Sequence, residues 1–127
     1  MKLTIKQLVG GSDALRRLGA HGIKELTQKV FYNVNKNIRA IAPELELYEK
    51  MRQSIINQYS SAQQNGEYGI HPRDIPVVNA EIEEAQAREV DIPILVCSLT
   101  DKIIESAEIK AADLFALEWM FELPESE

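Results

Sequence analysis

A chain of 127 residues is long enough for one domain with a modest core and too short for two. At 45% apolar and 27% charged residues it has the composition of a soluble globular protein, and no apolar run reaches the roughly 18 residues that a membrane span needs. A net charge of −6 argues against non-specific binding to nucleic acid or to an anionic membrane, so neither is an expected partner. The lone cysteine, Cys97, permits no internal disulfide; its apolar neighbours mark it as a small buried hydrophobe, and a reducing compartment is expected. Met1 to Thr4 lacks the apolar stretch of a signal peptide.

The chain opens on an alternation, Leu3 and Ile5 against Thr4 and Lys6, which predicts a short strand ended by Gly10-Gly11. Ser12 stands where an N-cap should, and "ALRRLG" predicts a short helix stopped at Gly19. From Ile23 the period becomes helical. Apolar residues recur every three or four positions from Ile23 through Leu26, Val30, Val34, Ile38, Ile41, Leu45, Tyr48, Met51 and Ile55 to Tyr59. The phase does not slip at Pro43, which falls on the opposite, solvent side. One bent helix of about 55 Å passing through the proline is therefore expected over about 23–60; the alternative is a second helix opening at Pro43, with Glu44 and Glu46 in its first turns and Ala42 as a poor N-cap. Glu25–Lys29, Glu46–Lys50 and Glu49–Arg52 are spaced to pair on its flanks.

A polar loop over about 61–73 follows, with a turn signal at Asn65-Gly66 and a helix stop at Pro72. Asp74 and Pro76 then open a return helix over about 74–88, which makes an antiparallel helical hairpin. "EVDIPILVCSL" predicts a strand over about 89–99, with Pro93 at an edge or bulge and the segment around Leu3 as its partner. Thr100-Asp101 caps a short turn, and a last helix is expected over about 109–122. The predicted fold is α+β and predominantly helical. It is a single domain, 1–127, built as a long antiparallel αα-hairpin with a small two-stranded sheet and short flanking helices.

No phosphate loop, dinucleotide fingerprint or nucleophile elbow is present in the sequence. His21 and His71 have no second ligand at helical spacing and are expected as solvated loop residues, so no metal site is predicted. Glu81, Glu83 and Glu84 crowd one helix without a partner to push their pKa values apart, and are expected as a solvated face. Neither a cofactor nor catalysis is expected. "LFALEWMFEL" is apolar around most of its circumference, and Phe31-Tyr32 widen the stripe of the long helix. So long a helix exceeds what a chain of this size can cover alone. Phe31, Tyr32, Tyr48, Phe115, Trp119 and Met120 are therefore the candidate interface residues, and a homo-oligomer is the expected state.

The order of the pieces resembles that in a group of short proteins encoded by tailed phages and prophages. A leading strand precedes "DALRRL", the long helix "KVFYNVNKNIRAIAPELELYEKMRQSIINQY", a polar loop with glycine, a second helix, the strand "EVDIPIL" and a closing "DLFALEWMFE". The likeness runs over nearly the whole chain and lies in the order of elements; Pro43 and the "GAHGI" joint depart from the pattern. It implies a viral origin, a place in the bacterial host cytoplasm or the virion, and a small α+β fold, and it brings no catalytic residues. The expected function is non-catalytic: protein–protein interaction in virion assembly or structure, with a phage or host protein as partner. The alternative is an accessory protein that inhibits a host defence factor or sequesters a signalling ligand.

Overall fold

The structure, a computed structural model, describes residues 1–62, 66 and 68–123. It is predominantly helical with small two-stranded sheets, an α+β fold. Strand β1 (Lys2–Thr4) leads into α1 (Ile5–Gly19) and α2 (Ile23–Tyr59). A hairpin of β2 (Ser60–Ala62) and β3 (Tyr68–Ile70) turns the chain into α3 (Ile75–Gln86). Then come β4 (Glu89–Asp91), β5 (Cys97–Ser98), α4 (Asp101–Ser106), α5 (Ala111–Ala116) and β6 (Phe121–Glu122).

The opening strand is shorter than the alternation suggests. It ends at Thr4, whose hydroxyl accepts from the Gln7 N–H at 3.2 Å while the Gln7 side chain accepts from the Thr4 N–H at 2.8 Å. This is a capping box, and the T-x-x-Q that makes it satisfies two orphan donors at once. The helix therefore starts at Ile5 and runs through Gly10-Gly11 instead of starting after them. Ser12 is no cap; its hydroxyl bonds back to the Val9 carbonyl at 3.0 Å. Strand β1 pairs antiparallel with β4, Leu3 opposite Val90, which is the partnership the sequence predicts.

Pro43 does not interrupt α2. It is exposed, and the backbone stays helical through it. The break lies at Thr27, with φ 69° and ψ 161°, a region in which a β-branched residue is strained. Leu26 and Val30, on either side of the break, are both buried, and that burial offsets the strain. From residue 28 the helix runs about 48 Å without a break. Two substitutions follow. Pro43→Ala restores an N–H to a solvent-facing turn and is expected to raise stability by about 1–3 kcal/mol. Thr27→Gly relieves the positive φ and is expected to add about 1 kcal/mol. Urea midpoints at constant m-value check both.

Helix α3 returns antiparallel along α2. Glu81 lies beside Tyr59 near the end of α2, and the Gln86 amide donates to the Tyr48 hydroxyl at 2.8 Å further back. The turn before α3 is capped by His71, whose Nδ1 accepts from the Arg73 N–H at 3.1 Å. Gly66, at φ 83°, has the left-handed backbone of a turn glycine; Asn65, the other half of that turn signal, lies outside the described residues. Of the expected pairs on the α2 flanks, Glu49–Arg52 forms at 2.6 Å. Glu25 instead accepts from the Gly22 N–H at 3.0 Å, where it caps the start of α2.

The strand expected over 89–99 is two strands in two sheets. Pro93 has no N–H to give a ladder, and the chain leaves β1 after Ile92. It re-enters pairing at Cys97, where β5 runs parallel to β6, Cys97 opposite Phe121. The last helix is correspondingly short. It stops at Ala116, and the chain turns so that Met120 and Phe121 enter the core beside β5. Buried Leu8, Leu15 and Leu18 of α1 meet Leu26, Val34 and Ile41 of α2, and Ile103, Leu117 and Met120 close the same cluster. Each fully buried side chain of this size contributes about 1.5–3 kcal/mol. Beyond Tyr48, α2 has only half-buried apolar residues, Met51, Ile55, Ile56 and Tyr59, so the end of the hairpin is covered on one side.

Candidate interaction surface

The six residues that the sequence nominates for an interface divide three ways. Tyr32 and Phe115 are exposed, at 58% and 76%. Phe31 and Trp119 are half-buried and packed on the core. Tyr48 and Met120 are buried in the core itself, so these two are withdrawn as surface residues. The reason for Met120 is the early end of the last helix: the turn between α5 and β6 carries inward a side chain that a longer helix would leave on a flank.

Two features escape the sequence reading. The first is Asn37, the one buried polar side chain among the described residues. It is four residues before Ile41 and three after Val34, so it occupies the apolar stripe itself. Its amide donates to the Leu95 carbonyl at 2.8 Å, and its carbonyl accepts from the Leu95 N–H at 2.8 Å. One side chain thus imitates a neighbouring strand for the unpaired stretch between β4 and β5. The visible signal was a polar residue in register with the stripe.

The second is the outer face of α2. Between Glu25 and Glu44 the chain has no acidic residue, and its only charges are Lys29, Lys36 and Arg39. At 100° per residue these three and Tyr32 fall within about a quarter-turn, facing away from buried Val30, Val34 and Ile41. All four are exposed, and the Lys36 ammonium is 5.8 Å from the centre of the Tyr32 ring. Among the described residues none of the three cations has a carboxylate partner. Two shallow depressions share Lys36 and Arg39. One is walled by Phe31 and Asn35, the other by Ala40, Pro93 and Leu95. Further along the same face lie exposed Pro43 and Leu47.

Two other concavities flank α1. An apolar groove of about 390 Å³ separates α1 from α2, with Leu15, Gly19, Ile38, Ile41 and Leu45 in its walls. A smaller pocket of about 170 Å³ lies between α1 and α5, where Arg17 clamps Asp113 at 2.5 Å and His21 and Lys110 stand at the rim. The guanidinium hydrogen bond holds the Asp113 carboxyl below the usual carboxylate range. Arg17 and Asp113 are thus satisfied by each other.

The groups that could carry chemistry are dispersed. Burial pushes the Cys97 thiol up to about 11, the direction opposite to that of a reactive cysteine. Glu81 is turned toward Tyr59, whose phenol is raised by burial first and by that carboxylate second, while Glu83 and Glu84 point to solvent. Among the described residues no group of three or more His, Cys, Asp or Glu could hold a metal ion. Nor is any described helix long and apolar enough to cross a membrane. No known protein family, curated protein or solved structure matches the chain.

Proposed function

We propose that this is a non-catalytic protein that acts by protein–protein interaction, with α2 as its binding element. The observation that supports this most is the outer face of α2, where Tyr32 and Leu47 stand 58% and 53% exposed on a rigid helix. Exposed aromatic and aliphatic side chains on a rigid element suit recognition, since little side-chain freedom is lost when they are covered. Phe115, at 76% exposure on α5, offers a second contact. Self-association is the simplest use of such surfaces. Virion assembly or structure is the setting implied by the resemblance to short phage proteins.

Light scattering at tens of micromolar tests the self-association. A mass of about twice 14.4 kDa is expected, returning to 14.4 kDa when Leu47 and Phe115 are both replaced by Asp. A mass of 14.4 kDa throughout withdraws the oligomer and leaves only a different partner. Mass spectrometry of purified virions tests the setting: the chain is expected in the particle or among its assembly intermediates. A chain absent from both and dispensable for particle formation counts against it.

A further inference from the structure

We infer that the stretch of α2 from Lys29 to Arg39 is a docking site for a short, extended acidic segment of a partner protein. This rests on the interaction reading above and assigns the partner its chemistry.

Charge complementarity selects the ligand. Lys29, Lys36 and Arg39 stand on one exposed face with no carboxylate paired to them among the described residues. The whole chain is −6, so removing these three positive charges leaves −9 on the rest. Solubility has no use for an acid-free basic stripe on an acidic protein, and the acids that would neutralise it are missing from 18 consecutive residues, 26–43.

Length selects a peptide over a polyanion. Ten residues of helix separate Lys29 from Arg39, about 15 Å, which an extended peptide spans in about five residues. A nucleic acid would meet only two or three phosphates there and would then run onto a surface of net negative charge, where repulsion opposes it. The walls point the same way. Leu95, 39% exposed, and Pro93 line the depression beside Lys36 and Arg39. They offer apolar contact to alternate side chains of a peptide and nothing to a phosphate. The Tyr32 ring, already under the Lys36 ammonium, holds that cation on the face.

The test uses the full chain and a fluorescein-labelled peptide, Glu-Leu-Glu-Glu-Phe-Glu, followed by anisotropy at low salt, with light scattering of the same samples. Saturable binding is expected, weakened about tenfold or more by 0.3 M NaCl through screening. The double variant Lys36→Glu/Arg39→Glu is expected to lose it by at least about tenfold, and Tyr32→Ala to weaken it, while Lys102→Glu on α4 changes nothing. Circular dichroism of each variant should be unchanged, since these side chains are exposed. A peptide with Gln in place of Glu should not bind. Absence of binding, or binding unaffected by the double variant, overturns the docking site and leaves the interaction reading standing wherever self-association persists. Tighter binding of a ten-nucleotide oligothymidylate than of the peptide overturns it in favour of nucleic acid. A dimer that dissociates in the double variant overturns it in favour of a second copy on this face.

Discussion

Replacing Asn37 by Leu is expected to destabilise the protein by about 2–4 kcal/mol, although the change is from polar to apolar at a fully buried site. Leucine suits the stripe that Val34 and Ile41 define, and burial alone would favour it. The loss comes from the other end of the contact. The Leu95 N–H and C=O are both bonded at 2.8 Å to Asn37. The segment from Pro93 to Val96 lies between the two pairings, so without Asn37 the Leu95 backbone has no ladder to fall back on. The affected segment also positions β5 against β6, so the C-terminal half of the core should loosen first. Hydrogen exchange should show the Cys97 and Leu99 amides, which donate to Met120 and Glu122 carbonyls, losing protection before those of α1.

Asn37→Asp separates the two bonds. The carboxylate still accepts from the Leu95 N–H, but it turns a second oxygen toward the Leu95 carbonyl and places a charge in the core. Burial and that carbonyl both favour the protonated acid, so the folded-state pKa is raised above the unfolded one. A raised carboxyl binds more protons in the folded state. The variant's deficit relative to the parent chain is therefore full above the folded pKa and shrinks as the pH falls through it. Urea melts of both proteins at pH 7 and pH 4 check the sign. A deficit that grows on acidification would remove Asn37 from its clamping role.

The adjacent glycines of α1 are expected to answer the same substitution with opposite signs. A methyl at Gly10 meets nothing within 4 Å, so Gly10→Ala keeps the usual helix-interior gain of about 1 kcal/mol. At Gly11 a Cβ would sit 2.8 Å from Leu117 Cδ2, 2.9 Å from the Ala116 carbonyl oxygen and 3.3 Å from the Trp119 ring. The leucine can rotate, but the carbonyl is backbone at the end of α5 and cannot move without moving the helix. Overpacking of this kind typically costs about 1–3 kcal/mol, enough to override the propensity gain. Gly11→Ala is therefore expected to lower the urea midpoint where Gly10→Ala raises it. Equal stabilisation by both would mean that α5 does not pack closely on α1.

The helical hairpin was legible in the sequence because a period of 3.6 over 37 residues is a redundant signal. Pro43, the one conflicting residue, could be assigned to the solvent side by phase alone. The helix start at Thr4 is hard to see in the sequence because a three-residue strand and the first turn of a capped helix look alike when Leu3 and Ile5 flank the cap. The T-x-x-Q that decides between them gives a helix start five residues before the glycines. Of the interface nominees, Tyr32 and Phe115 kept their exposure, whereas Met120 is buried because the end of α5 depends on what Phe121 pairs with, 24 residues away at Cys97.

What the sequence by itself determined is what local periodicity carries: the long helix, its return partner and the β1–β4 pairing. Only the tertiary structure decided that Asn37 serves Leu95, that Gly11 is a contact point and that "EVDIPILVCSL" belongs to two sheets. Each of these depends on a partner distant along the chain, and nothing in a local pattern of residues specifies which distant backbone atoms will be left needing one.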